Sequence, residues 1–280
     1  MSDQNVITEQ LRLRAQRIRR LIIEMLVAAG SGHPGGSLSA ADIVACLYFH
    51  VMRHRPNHPQ WEDRDRFILS KGHACPVLYA ALAEAGYITP DLLTSLRRFG
   101  SPLQGHPDRR KFGLVEASTG SLGIGLSLGL GMALAARLRQ SPSRTYVMLG
   151  DGECEEGQIW EAAMCAAHQK LGNLCAIIDY NRLQLDASVE EITSLEPLAD
   201  KWRSFQWHVL EIDGHNYEQI LTAFAQAQQV NDKPTVVVAS TIKGKGVSYM
   251  ENQLKYHGSV PDKPELIQQA LQEVAGEVGS

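Results

Sequence analysis

The chain has 280 residues, 44% of them hydrophobic and 21% charged, with a formal net charge of −4. This composition carries no disorder signature and gives no general attraction to nucleic acid or an anionic membrane, so an anionic ligand needs a locally basic site. Five cysteines, Cys46, Cys75, Cys154, Cys165 and Cys175, form no CxxC pair, which argues for free thiols in a reducing, cytoplasmic setting.

The amino terminus is polar and then rich in Arg, unlike a secretory signal. Ile7–Ala29 carries Leu11, Ala15, Ile18, Ile22, Met25 and Leu26 on one stripe, which predicts a first helix ended by Gly30. In the next loop, Ser31-Gly32-His33-Pro34-Gly35-Gly36, glycines surround a histidine fixed by Pro34. Ser39 and Asp42 predict a capping box for a helix over Ala40–Met52. His50, His54 and His58 recur every four residues, but Pro56 interrupts that helix before His58. No carboxylate or cysteine completes a zinc set, so no metal is expected there.

Phe67–Leu69 predicts a short strand running into Ser70-Lys71-Gly72-His73-Ala74, followed by a helix over Val77–Ala85. Gly105-His106-Pro107 and His257-Gly258 are further Gly-His loops. A lone loop histidine is more often surface than catalytic, but four beside Gly or Pro are harder to dismiss together. Gly120–Ala136 is the most apolar stretch, and its length and glycine content favour a buried helix packed closely against another backbone over a membrane span.

The segment Thr145–Asp186 organises the rest. An apolar run, Tyr146–Leu149, stops at Gly150-Asp151-Gly152, and a second, Leu174–Ile178, stops just before Asn181. Between them Gln158–Leu171 has helical spacing, ended by Gly172, so the segment predicts a βαβ unit. Parallel strands joined by one crossover share a carboxyl edge, where Asp151 and Asn181 can meet. A carboxylate, an amide oxygen and a nearby carbonyl such as that of Leu183 form a hard oxygen set that suits Mg²⁺ or Ca²⁺ holding a diphosphate. Gly-Asp-Gly alone would be read as a tight turn; Asn181 at crossover distance turns the odds. Cys154 beside it is read as a small loop residue rather than a nucleophile.

Ser194–Phe205 predicts a helix, Trp207–Ile212 a strand, Tyr217–Gln229 a helix and Thr235–Ser240 a buried strand ending in Thr241-Ile242-Lys243-Gly244-Lys245-Gly246. Pro264–Val278 predicts a last amphipathic helix. Alternating strands and helices imply an α/β fold, a doubly wound, mainly parallel sheet with helices on both faces and right-handed crossovers. Nothing marks a linker or repeat, so residues 1–280 are expected to form a single domain.

The central segment resembles the thiamine-diphosphate fingerprint, GDG with a later Asn, and its interior is similar to the transketolase family in particular. SGHPGGSLSAADI, LSKGHA, QGHPD, STGSLGIG, DGHN and TIKGKG follow that family's order from about residue 10 to about 260. The resemblance implies a thiamine-diphosphate-binding fold in which Asp151, Asn181 and the Leu183 carbonyl bind Mg²⁺, or Ca²⁺ or Mn²⁺ in its place. It implies that Gly152, His73, Asn181 and Leu185 meet the cofactor and that Gly120 to Gly123, Leu122 included, lie along its aminopyrimidine. His33, His106 and His257 match proton carriers and hydroxyl partners around the reacting carbon and the sugar, work suited to neutral imidazole. Glu156 matches a carboxylate that helps link two cofactor sites across a dimer.

The implied activity is ketol transfer from a ketose phosphate to an aldose, with sugar phosphates as substrates. No residue here matches the glutamate that activates the aminopyrimidine. The chain is therefore expected to be the amino-terminal, diphosphate-binding half of a split transketolase. The pyrimidine-binding and carboxyl-terminal domains would lie on a separate carboxyl-terminal polypeptide, most simply in an α₂β₂ heterotetramer. Lys71 before Gly-His points weakly the same way. The rivals are the α chain of a 2-oxo-acid dehydrogenase, which the Gly-His loops fit less well, a deoxyxylulose-phosphate synthase type, and a non-catalytic thiamine-diphosphate-binding paralogue, which the intact histidines oppose. A Rossmann dehydrogenase fails because no strand leads into G-x-G-x-x-G.

Overall fold

The computed structural model describes residues 3–276. Five strands, β1 (Arg66–Leu69), β2 (Thr145–Gly150), β3 (Leu174–Tyr180), β4 (His208–Asp213) and β5 (Thr235–Ser240), form one parallel sheet in the order β1-β2-β3-β5-β4. The helices are α1 (Asp3–Ala29), α2 (Pro34–Ser39), α3 (Ala41–Cys46), α4 (Cys75–Glu84), α5 (Ile124–Leu138), α6 (Gly157–His168), α7 (Val189–Ile192), α8 (Leu198–Ser204), α9 (Tyr217–Gln229) and α10 (Pro264–Val274).

Strand side chains alternate between two apolar layers, as a sheet covered on both faces requires. Tyr146 and Met148 of β2, Cys175 and Ile177 of β3, and Val237 and Ala239 of β5 pack with residues of α1, α3, α4 and α9. Val147, Leu149, Ala176, Ile178, Val236 and Val238 pack on the other face with α5, α6 and α8. Each fully buried Val, Leu or Ile contributes roughly 1.5–3 kcal/mol, so these layers hold the sheet rigid beneath its loops. In the register Gly150 pairs with Asp179 and Tyr180 with Ser240, which brings the loops after β2, β3 and β5 to one edge.

The predicted capping box at Ser39 and Asp42 does not form. α3 starts from Ala40 without a side-chain cap, because Ser39 Oγ donates to Asp179 Oδ2 (2.6 Å) and Asp42 receives Arg19 (2.6 Å). Buried ionic groups claim both side chains. Instead of one helix to Met52, a π-helical turn over Leu47–Val51 follows α3.

α5 begins only at Ile124, because Gly123 stands at φ +86°, and it is buried on one face rather than throughout. A Cβ on Gly129 would lie 2.3 Å from Val147 Cγ2, and one on Gly125 2.3 Å from Ser70 Oγ, so glycine permits this close approach. Leu128 and Leu138 on the outer side are exposed. Extended Pro197 delays α8 to Leu198, and the unpredicted α7 is capped by Ser188 and Glu191. α10 ends at Val274; residues 277–278 of the predicted last helix lie outside the described residues.

His54 bonds Tyr87 Oη (2.9 Å) and the Tyr48 carbonyl (2.5 Å), and no cluster of His, Cys, Asp or Glu suited to a metal occurs among the described residues. The five cysteines are free. Cys154 is fully buried, which pushes its thiol well above the ordinary range and disfavours the thiolate. Among the described residues no helix is long and apolar enough to cross a membrane.

Candidate active site

A cavity of about 270 Å³ opens at the carboxyl edge of the sheet. Asp151 and Gly152 reach it from the loop after β2; Asn181, Leu183 and Leu185 come from the loop after β3. His73 follows β1, Leu122 precedes α5, and Lys243 and His257 come from the segment after β5. A larger cavity of about 340 Å³, among Arg66, Arg109 and Arg139, is lined by none of these residues.

The Asp151 carboxylate accepts the Gly152 amide (2.8 Å) and the Arg182 amide, which ties the two loop tips together. Asn181 Oδ1 accepts the Leu183 amide (3.2 Å). Lys243 Nζ donates to the carbonyls of Leu183 (2.7 Å) and Gln184 (3.0 Å), so an ammonium stands where a cation would meet the Leu183 oxygen. Burial, and then the neighbouring Asp179, raise the Asp151 carboxyl to about 6, against the opposing pull of the Gly152 and Arg182 amides and Lys243. Carboxylate, amide oxygen and carbonyl thus fit a hard divalent ion, and the ammonium marks the same position as attractive to positive charge.

Beneath this layer Asp179 is wholly buried, paired with Lys71 and hydrogen-bonded by Ser39 and Thr241. Burial alone would raise its carboxyl, but Lys71 outweighs that and holds it below the usual range. Lys71 also donates to the Gly36 carbonyl (2.7 Å). Glu153, buried as well, accepts Ser70 Oγ and the amides of Gly123 (2.9 Å) and Gly150 (3.0 Å). These two carboxylates knit the loops after β1, β2, β3 and β5 and the approach to α5 into one floor.

The histidines gather beside that floor. Ring centroids lie 5.2 Å apart for His33 and His73, 5.7 Å for His33 and His257, 6.5 Å for His33 and His106, and 5.2 Å for His73 and His257. Burial, with help from Arg97, lowers His33 to about 4; burial and Lys243 lower His257 to about 3. His73 falls well below its ordinary value and His106 falls too, again chiefly through burial. All four are therefore neutral near pH 7. Lys243 Nζ donates to His257 Nδ1 (2.7 Å), which assigns the His257 proton to Nε2.

Of the sequence-derived residues, His33 and His106 belong to this group without lining the cavity, and Gly120 and Glu156 lie outside it too. Gly120, at φ +154°, backs onto His106, whose Cδ2 would be 3.3 Å from a Cβ there. Glu156 is exposed at the start of α6, beside Gly123 and outside the cavity. The sequence pattern alone assigns no site role to Asp179, Glu153, Lys71 or Lys243. A signal for three of them is nevertheless present: Asp179 is a lone charge in an apolar run, and the two lysines stand in loops marked by glycine.

A family described as "Transketolase, thiamine diphosphate binding domain" matches residues 11–275. The chain is 48% identical to SqwG, a component of the 6-deoxy-6-sulfo-D-fructose transketolase of Clostridium sp. (strain MSTE9), covering 92% of each chain. It is 44% identical to one of the named subunits of the apulose-4-phosphate transketolase of Phocaeicola vulgatus, covering 95% of this chain and 94% of that one. Transketolase from Campylobacter jejuni superposes with a TM-score of 0.90 at 35% identity, over 96% of this chain and 43% of that longer one.

Proposed function

The chain belongs to the transketolase family, and from that premise we propose that it is the thiamine-diphosphate-binding subunit of a two-chain transketolase. The activity is transfer of a two-carbon ketol unit from a ketose phosphate to an aldose. One observation carries this reading: Asp151, Asn181 and the Leu183 carbonyl converge with Lys243, His73 and His257 on one cavity.

Asp151, Asn181 and the Leu183 carbonyl would hold a divalent cation, most simply Mg²⁺, with the diphosphate against Gly152, His73 and Lys243. Leu122 and Leu185 would flank the cofactor's organic portion. Bound there, the cofactor supplies the carbon–carbon chemistry, and the protein supplies orientation and charge placement. His33, His106 and His257, held neutral, would donate to and accept from the sugar's hydroxyl and carbonyl oxygens. The assigned His257 tautomer makes Nε2–H a donor. Glu156, outside the cavity, would face a neighbouring chain.

The partner is proposed to be a carboxyl-terminal transketolase subunit that brings the activating glutamate and the grip on sugar phosphates, in an α₂β₂ assembly. The names of the two relatives, each called a subunit and matched over nearly its whole length, support the need for a partner chain. In this reading residues 1–280 are one diphosphate-binding domain, and five free thiols suit the cytoplasm. The test is ketol transfer assayed with thiamine diphosphate and Mg²⁺, with and without that partner. Turnover is expected only from the pair; robust turnover by this chain alone would defeat the two-chain claim.

A further inference from the structure

The segment after β5 carries Lys243, and a network that never touches the cavity grips it at both ends. Asp42, buried at 4% exposure, receives Arg19 twice (2.8 and 2.6 Å), Tyr217 Oη (2.6 Å) and His215 Nδ1 (2.7 Å). With its Nδ1 proton committed to Asp42, His215 presents an unprotonated Nε2, which accepts the Ile242 amide at 2.8 Å. Arg19 Nε donates to the Lys245 carbonyl at 3.0 Å. Ile242 and Lys245 thus bracket Lys243, whose ammonium is held by Leu183, Gln184 and His257 on the far side.

We infer that His215, oriented by Asp42, is a positioning residue that sets Lys243 for the cofactor's diphosphate from outside the binding cavity. This rests on the cofactor reading above. An imidazole with its proton on Nδ1 suits the task because it donates to the buried carboxylate and accepts the main-chain amide across one rigid ring. The Asp-Gly-His run at the end of β4 supplies it. Gly214 allows the turn: a Cβ there would lie 2.6 Å from Thr241 Cγ2.

The test is the dissociation constant for thiamine diphosphate in Mg²⁺, measured by calorimetry on the chain reconstituted with its carboxyl-terminal partner. His215→Asn keeps a donor near Asp42 but cannot reach Ile242; His215→Gln places an oxygen near the lost Nε2. The Asn variant is expected to bind about 10- to 100-fold more weakly, with kcat at saturating cofactor little changed, and the Gln variant to recover most of the affinity. Placed on Lys243→Met, His215→Asn should add less than about twofold, because the two act through one contact. Full additivity on that background, or equal losses for Asn and Gln, would overturn the positioning role. Wild-type protein that takes up no cofactor would overturn the cofactor reading as well.

Discussion

The two halves of the site solve opposite electrostatic problems. At the βαβ end, buried acceptors are answered by cations: the Asp179 carboxylate by Lys71, and the Leu183 carbonyl by Lys243. At the histidine end, titratable groups are kept uncharged chiefly by burial, and then by one another and the cations Lys71, Lys243 and Arg97. The first arrangement suits a permanent ionic anchor, and the second suits groups that must give and take protons near neutral pH. Lys243 joins them, bonded to the anchor's carbonyls and to His257.

The largest effect expected is at the anchor. Asp151→Ala should abolish cofactor uptake and activity while leaving the fold intact, read by calorimetry beside circular dichroism; retained uptake would break the assignment of this end to a cation. Next, Lys71→Met strands the buried Asp179 carboxylate and should cost about 3–5 kcal/mol in urea unfolding. Adding Asp179→Asn to Lys71→Met should restore part of that loss. If Lys71→Met proves neutral, the buried pair is not what holds the floor.

At the histidine end the effects should be on turnover. His33→Asn should lower kcat about 100-fold with cofactor affinity unchanged, the signature of lost proton handling rather than lost anchoring. Equal damage to cofactor affinity would erase the distinction between the two ends. The smallest effect is a slope. His33, lowered to about 4, and His257, lowered to about 3, bind fewer protons folded than unfolded, so their stabilisation is present above about pH 6.5 and is lost as pH falls toward those values. Asp151, raised to about 6, acts in the opposite direction in metal-free protein. Comparing urea midpoints of wild type and His33→Asn from pH 7 to 4 isolates the His33 share, and the variant should be the flatter.

Much of this is legible in the sequence because strand-end loops announce themselves through glycine and through the stop of an apolar run. Gly150-Asp151-Gly152, Lys71-Gly72-His73 and the segment after β5 all do so, and the parallel sheet then brings them to one edge. What periodicity hides are side chains whose partners lie far off in sequence. Ser39 and Asp42 have capping-box spacing, yet each serves a buried ion more than 20 positions away. Asp179 looks like part of a strand because its neighbours are apolar; only the fold supplies Lys71. The glycine-rich stretch reads as a buried helix packed closely against another backbone, and Gly125 and Gly129 make that close approach on one face while Leu128 and Leu138 lie outside it.

The most direct test of the anchor is calorimetric titration of thiamine diphosphate into the chain reconstituted with its carboxyl-terminal partner, with Mg²⁺ and then with excess EDTA. The account predicts one cofactor bound per copy of this chain in Mg²⁺, lost in EDTA and lost in Asp151→Ala. Uptake that survives both the chelator and the substitution would contradict it.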